Sequence, residues 1–204
     1  MEKGCKIKEV DMFWLTLYKL VQWLIFSVFI VFISDHRKKN PATPLIDKRL
    51  LLVMKLCYPI TCVIHGYVIT TIPQVRWIDL VALGCAALGT LLIVKSKHDL
   101  GRYHAWTGYF ADVPEFVTQG IYAYMRHPLY TGINLFIAGD LLIMSGHAPW
   151  QLTLVMAAIL SYIMAFTTLS AVRETRQLAA KFGARFVAYQ QQVHPFLPLG
   201  RFRS

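Results

Sequence analysis

The sequence predicts an all-α integral membrane protein of about five transmembrane helices, with a cytoplasmic cap and a C-terminal amphipathic helix. Composition is the first reason. Of 204 residues 56% are hydrophobic and the mean hydropathy is +0.46, too apolar for a soluble domain of this length. The second is that the apolar residues fall into five long runs. The third is the charge pattern. The net charge of +10 suggests nucleic acid at first sight, but with five spans Arg37, Lys38, Lys39, Lys48, Arg49, Lys95, Lys97, Arg102, Arg126, Arg173, Arg176, Lys181, Arg185, Arg201 and Arg203 share one side. Lys3, Lys6, Lys8 and Arg76 hold the other, and Lys19 and Lys55 lie within spans. By the positive-inside rule the N-terminus is then outside and the C-terminus cytoplasmic, with membrane lipid rather than nucleic acid as the partner.

The expected spans are Met12 to Ile33, Leu50 to Ile72, Ile78 to Val94, Leu129 to Ser145 and Trp150 to Ala171. The third and fourth are short for a bilayer that needs about 20 residues. The first is too long and uninterrupted for a signal peptide's apolar core, and no small-residue cleavage site follows it. Cys5, Cys57, Cys62 and Cys85 form no CxxC pair, which argues against a disulfide or metal framework. The whole chain reads as one domain, with a three-helix part over residues 1–94 and a second part over 95–204. Its oligomeric state is not legible.

Between the spans, Ser34 to Arg49 is a short basic connector suited to anionic lipid. Lys95 to His127 is longer and rich in aromatics among turn residues, which points to a folded cap on the membrane face. The stretch Ser145 to Trp150 turns the last two spans into a hairpin. After Ala171 a helical period continues through Leu178, Phe182, Phe186, Tyr189 and Val193, to be ended by Pro195 and Pro198. This tail is expected to pack over the cap.

The chemistry concentrates where the fourth span begins, in Gly120-Ile121-Tyr122-Ala123-Tyr124-Met125-Arg126-His127-Pro128-Leu129-Tyr130-Thr131-Gly132. Pro128 suits a first helical turn and pushes His127 toward an extended conformation. The N–H groups of Leu129, Tyr130 and Thr131 then face the cytoplasm as an anion-attracting helix start. On the residues alone an interfacial anchor of Arg, Tyr and Pro accounts for the segment equally well. Glu174, beside Arg173 at the exit of the fifth span, can accept several hydrogen bonds from a ligand, or form a solvated juxtamembrane ion pair. His98, His104 and His127 lack metal-ligand spacing, and no glycine-rich phosphate loop is present.

At these residues the chain resembles the isoprenylcysteine carboxyl methyltransferase family in its compact prokaryotic form. That family reads roughly LVTxGxYxxxRHPxYxG, a helical hairpin, then REExxLxxxFGxxYxxYxxxVxxxxP. Phe116 to Gly132 follows the first part; Arg173-Glu174, Leu178, Phe182-Gly183, Phe186, Tyr189, Val193 and Pro198 follow the second. The resemblance covers about Leu100 to Pro198. It implies an enzyme that carries a methyl group from S-adenosyl-L-methionine to a lipophilic substrate from the bilayer, an isoprenylcysteine-like carboxylate above all, with the cap as cofactor-binding element. It further implies cofactor contacts at Glu115, Phe116, Val117, Tyr122, Arg126, His127, Pro128, Leu129, Tyr130 and Glu174, and catalytic roles for Arg173 and Glu174. Thr175 stands in place of the usual second glutamate, Phe186 in place of a tyrosine, and Ser170 where some members carry a substrate-facing arginine, which leaves Arg173 as the substitute.

The physical chemistry agrees: transfer from a sulfonium to a carboxylate destroys charge, which a dry site favours, and an arginine fork is suited to hold the carboxylate. Three other readings stand beside it. Phospholipid N-methylation uses the same cofactor but needs a base, for which His98 and His104 are candidates. An NADPH-dependent sterol reductase shares an RHPxYxG-like end, but with an Asn where Leu129 stands and about twice as many spans. The last is a non-catalytic membrane partner.

Asp140 lies roughly 16 Å from the inner end of its span, and Lys19 and His65 roughly 21 to 23 Å from theirs. A carboxylate at such depth should be paired, neutral or functional; a structural contact with Lys19 or His65 is expected, the alternative being that Asp140 lines the acceptor cavity.

The charge asymmetry yields a topology that labelling can test. In a background without native cysteines, a membrane-impermeant thiol reagent applied from outside should label Glu2→Cys and leave Ser204→Cys unlabelled until the membrane is opened. Labelling of Ser204→Cys in sealed cells would reverse the assignment.

Overall fold

A chain that crosses hydrocarbon must satisfy its backbone amides within each crossing segment, so the apolar runs have to be helices. The computed structural model describes residues 2–34 and 42–198, with the side chains of residues 2–11 and 102 left aside. Its elements are α1 (Glu2–Ser34), β1 (Ala42–Pro44), α2 (Lys48–Thr71), α3 (Trp77–Leu100), β2 (Tyr109–Ala111), α4 (Pro128–His147), α5 (Trp150–Phe182) and α6 (Ala184–Gln192), with 3-10 turns at Gly101–Tyr103 and Gly120–Ala123. Helices α1 to α5 are each long and apolar enough to cross a membrane. The protein is a multi-pass, essentially all-α membrane protein. Of the residues on which the topology rests, Arg37, Lys38, Lys39, Arg201, Arg203 and Ser204 lie outside the described residues, as do the side chains of Glu2, Lys3, Lys6, Lys8 and Arg102, and so does the side chain of Cys5.

Several boundaries differ from the expectation for physical reasons. Helix α3 runs on to Leu100 rather than stopping near Val94, so Lys95 and Lys97 belong to the helix and the cap begins at Gly101. A lysine stem is apolar enough to continue a span. The Lys97 ammonium is buried and donates to the carbonyl of Phe32 in the last turn of α1, where orphan carbonyls await a cation. Helix α5 continues to Phe182, about 50 Å at 1.5 Å per residue, and so outruns the hydrocarbon layer. The amphipathic tail is not one continuous helix: Gly183, at φ +57°, ends α5 and starts α6 in a new direction. The described part of the first connector is not simply a lipid-facing loop, because β1 pairs antiparallel with β2 of the cap, Thr43 opposite Phe110. An unpaired edge there would leave amides unsatisfied near the membrane.

The most extensive helix pair is α3 with α4. A Cβ on Gly89 would fall 2.6 Å from the Gly132 carbonyl oxygen, and one on Gly132 would fall 2.6 Å from that of Gly89. Small residues let two membrane helices approach until their backbones touch. Above this contact the core stacks Phe29 on Phe136, with ring centroids 3.7 Å apart. Deeper still, His65 Nδ1 meets the Asp140 carboxylate, both side chains being almost fully buried. Lys19, the other partner considered, instead donates to the Thr70 carbonyl at 2.9 Å. At the hairpin end, buried Asp79 accepts from Arg76 Nη2 at 2.8 Å and lies 2.9 Å from His147 Nε2, which ties α3 to the end of α4.

The glycine contact yields a stability series. Gly89→Ala should lower stability by about 1 to 3 kcal/mol, because backbone atoms rather than a flexible side chain oppose the new methyl. Gly84→Ala on the same helix meets nothing within 4 Å and should be neutral or slightly stabilising. Thermal melts of the purified variants check the pair, and equal melting temperatures would refute the close packing.

Candidate active site

The first turn of a helix leaves backbone donors without partners, and the chain just before it has none of its own. Here the two amides just before α4 are tied down by the C-terminal segment. Arg126 N–H donates to the His194 carbonyl at 2.9 Å and His127 N–H to that of Pro195 at 2.8 Å. Arg126 Nε donates to the Val193 carbonyl at 2.9 Å, and Thr131 Oγ1 to that of Phe196 at 3.2 Å. His127 caps α4 at φ −126°, ψ 55°, short of the extended value expected before a proline. Of the three N–H groups expected to be free, that of Thr131 is taken by the His127 carbonyl at 3.1 Å; Leu129 and Tyr130 keep theirs unclaimed among the described bonds.

The 3-10 turn ahead of this segment is anchored to α3. Asp99 accepts from the Ile121 N–H at 2.7 Å and from Lys95 at 2.6 Å. Tyr122 Oη lies 3.0 Å from Ser96 Oγ, and the Tyr122 carbonyl accepts from Tyr189 Oη at 2.6 Å. Burial holds both phenols above their usual range, so they act as neutral hydrogen-bond groups.

Behind these residues lies a partly open cavity, of about 860 Å³ when the solvent space at its mouth is counted in. It is bounded by the cap, the start of α4, the protruding part of α5 and α6. Tyr130 Oη donates to Glu174 Oε2 at 3.0 Å. His127 Nε2 lies 3.0 Å from Thr175 Oγ1 and its Nδ1 3.8 Å from Glu174 Oε2. Burial, aided by the Arg126 charge, pushes the His127 imidazole down to about 3, so it is neutral and a poor base at physiological pH. Phe116 closes one wall, packed on Phe182, Phe186 and Tyr189 with Arg185 over its ring at 5.5 Å. Beyond Glu115, Phe116 and Val117 lies a second, open and polar recess bounded by His98, Asp99 and Arg185. The three residues thus form a partition shared by the two recesses.

Glu115, Phe116, Val117, Tyr122, Arg126, His127, Leu129, Tyr130 and Glu174 all line the cavity. Two expected residues do not. Pro128 is buried behind its neighbours as the helix starter, and Arg173 turns away to donate from Nη1 to the Leu45 carbonyl at 2.6 Å. Successive helical residues point about 100° apart, so Glu174 facing the cavity takes Arg173 off it, and the structure does not support Arg173 as the group that holds a substrate there. Sequence reasoning missed the strap of residues 193–196 and the wall at His104 and Tyr109. His104 had drawn notice as a candidate base, and Val193 and Pro195 only as the end of the amphipathic tail.

A search of curated proteins finds no match for the chain. A family model described as phospholipid methyltransferase matches residues 77–185, from the start of α3 to the start of α6, and so takes in every residue that lines the cavity except Phe186 and Tyr189. With more than half its length matched, the chain belongs to the phospholipid methyltransferase family, and it is a membrane methyltransferase.

Proposed function

We propose that the protein methylates the headgroup amine of a membrane phospholipid, with S-adenosylmethionine as methyl donor, at the cavity between cap and bundle. The observation that carries this reading is the charge arrangement on the wall: a carboxylate, Glu174, held by Tyr130, and a cation, Arg126, whose Nε is engaged by Val193 while its terminal nitrogens remain for a ligand. This set fits an amino-acid zwitterion. Arg126 and the free amides of Leu129 and Tyr130 would hold the cofactor's carboxylate, and Glu174 its ammonium, while Phe116 and Tyr122 would border its flat and apolar parts. S-adenosylmethionine supplies an electrophilic methyl on a sulfonium and leaves as a neutral thioether. What the chain supplies is position and dryness. The cap and α6 exclude water, which favours a reaction between a cation and a neutral amine less through solvent than through alignment. The amine must first lose a proton, and with Glu174 engaged by the cofactor the buried His104 imidazole is the wall group placed to receive it. His127 is excluded from that role by its depressed basicity.

One observation favours carboxyl methylation of an isoprenylcysteine-like lipid instead: Arg126 can offer its two terminal nitrogens to an acceptor carboxylate as readily as to a cofactor. Membrane topology with the cap in the cytoplasm, where the cofactor is made, belongs to either reading.

Purified protein in mixed micelles with methyl-labelled S-adenosylmethionine should label phosphatidylethanolamine, and the label should survive mild base. Label that base releases as methanol would mean an ester, and would transfer the assignment to carboxyl acceptors. Cofactor contact is tested separately by calorimetry. Glu174→Gln and Tyr130→Phe should weaken S-adenosylmethionine binding by roughly 10-fold or more, the worth of a charge-assisted hydrogen bond, whereas Arg173→Gln should leave it within about 2-fold. Equal affinities across the three would remove the cofactor from this cavity.

A further inference from the structure

Lys55 is the one lysine among the described residues that faces outward in the body of a span with aromatic rings as its only described partners. It lies seven residues into α2, roughly 10 Å past the helix start, with its side chain exposed. No carboxylate or hydrogen-bond acceptor is among its described contacts. Its ammonium instead lies 5.5 Å from the Trp106 ring centroid and 6.0 Å from that of Tyr109. Trp106 packs edge-on against both Tyr58 and Tyr109, so the rings are fixed. Pro59, four residues on, has no N–H with which to bond the Lys55 carbonyl, which adds a backbone acceptor to the same lipid-facing spot. A charged side chain at that depth is costly unless something compensates it, and cation–π contact alone offsets only part of the loss of water.

The position relative to the cavity gives this cation a use. Tyr109 presents its ring to Lys55 and also lines the cavity wall together with His104 and Ala105. The segment that carries it is held by the pairing of β2 with β1 and by Leu45 N–H donating to the Gly108 carbonyl at 2.9 Å. The Lys55 ammonium is thus one aromatic ring away from the chamber, on the bilayer side of it.

We infer that Lys55, framed by Trp106 and Tyr109, binds the phosphodiester of an acceptor phospholipid at the lateral entrance of the cavity. This rests on the proposed lipid acceptor and names the contact that selects it. A phosphate there neutralises the exposed ammonium. The short ethanolamine arm then passes Tyr109 into the chamber, where Glu174 and His104 lie. Lys55 touches no reacting atom and is a positioning residue. The inference predicts that a phosphate matters more than an amine for capture, because the amine's partners are inside and the phosphate's partner is outside.

The experiment uses the full chain in mixed micelles with Lys55→Gln and Lys55→Arg. For phosphatidylethanolamine, Lys55→Gln should raise KM about tenfold with kcat within about twofold of the parent, and Lys55→Arg should restore most of the loss. S-adenosylmethionine affinity should stay unchanged in both. A second arm needs no turnover: retention of labelled phosphatidic acid, which has the phosphate and no amine, should fall about tenfold in Lys55→Gln, while retention of diacylglycerol should not change. Equal KM and equal phosphatidic acid retention in parent and Lys55→Gln would overturn the inference and leave Lys55 a residue that only reaches for the interface. Should the parent fail to methylate phosphatidylethanolamine, the acceptor reading falls, and the retention arm still decides whether Lys55 is a phosphate site.

Discussion

The site depends on one arrangement of backbone hydrogen bonds: the carbonyls of His194 and Pro195 receive the N–H groups of Arg126 and His127. These amides immediately precede α4, where no earlier turn exists to accept them, and at the membrane boundary an amide without a partner is expensive. Satisfying them from the far end of the chain obliges α5 to leave the membrane, Gly183 to break the helix and α6 to fold back across the cap. The same strap carries Val193 to Arg126 and Phe196 to Thr131. A local shortage of acceptors is thereby converted into a fold-back of the chain that brings α6 against the cavity, where Phe186 and Tyr189 line it.

How far this was legible follows from what kind of force placed each part. The five spans are set by apolar length against bilayer thickness, a property of composition over about 20 residues, and they could be read directly. Their ends are set by single contacts. Lys97 continues α3 because the Phe32 carbonyl is there to receive it, and nothing local in Lys95 to Leu100 announces that carbonyl. The β1–β2 ladder and the strap join segments far apart in sequence through backbone atoms, which carry no residue signature. The clustering of Tyr122, His127, Tyr130 and Glu174 was legible because their order follows a family pattern. Arg173 misled, because adjacency in sequence on a helix means divergence in space by about 100°. Asp140 was legible as a residue in need of a partner, and depth limited the choice to two; orientation then selected His65 over Lys19.

Two departures from the resembled pattern acquire a physical meaning. Thr175, in the place of a second glutamate, lies beside His127 Nε2 at 3.0 Å. A carboxylate there would draw a proton onto the imidazole, whereas a hydroxyl can serve a neutral ring. With His127 neutral, the permanent charge on the inner wall is that of Arg126, faced by the buried carboxyl of Glu174, with Glu115 at the partition. Phe186, in the place of a tyrosine, keeps the packing around Phe116 free of a further hydroxyl. Both changes make the interior drier and its charges fewer, which strengthens the electrostatic interactions that remain.

A chamber so arranged limits what an acceptor can bring into it. Arg126 and Glu174 can be matched by one zwitterion, and on the proposed reading that zwitterion is the end of the cofactor. A second permanent anion inside would then lack a cation, since Arg173 is committed to the Leu45 carbonyl outside the cavity. An acceptor that carries an anion must therefore keep it outside while its nucleophile enters. A phospholipid satisfies this condition by construction, because its phosphodiester and its amine are separated by two carbons. On the same reading a carboxylate acceptor, whose anion is itself the nucleophile, would have to compete with the cofactor for Arg126. The lipid-facing ammonium of Lys55, separated from the chamber by the ring of Tyr109, lies where the excluded charge would rest. On the proposed reading, the division of charge between the two faces of that ring favours an amine acceptor over a carboxylate.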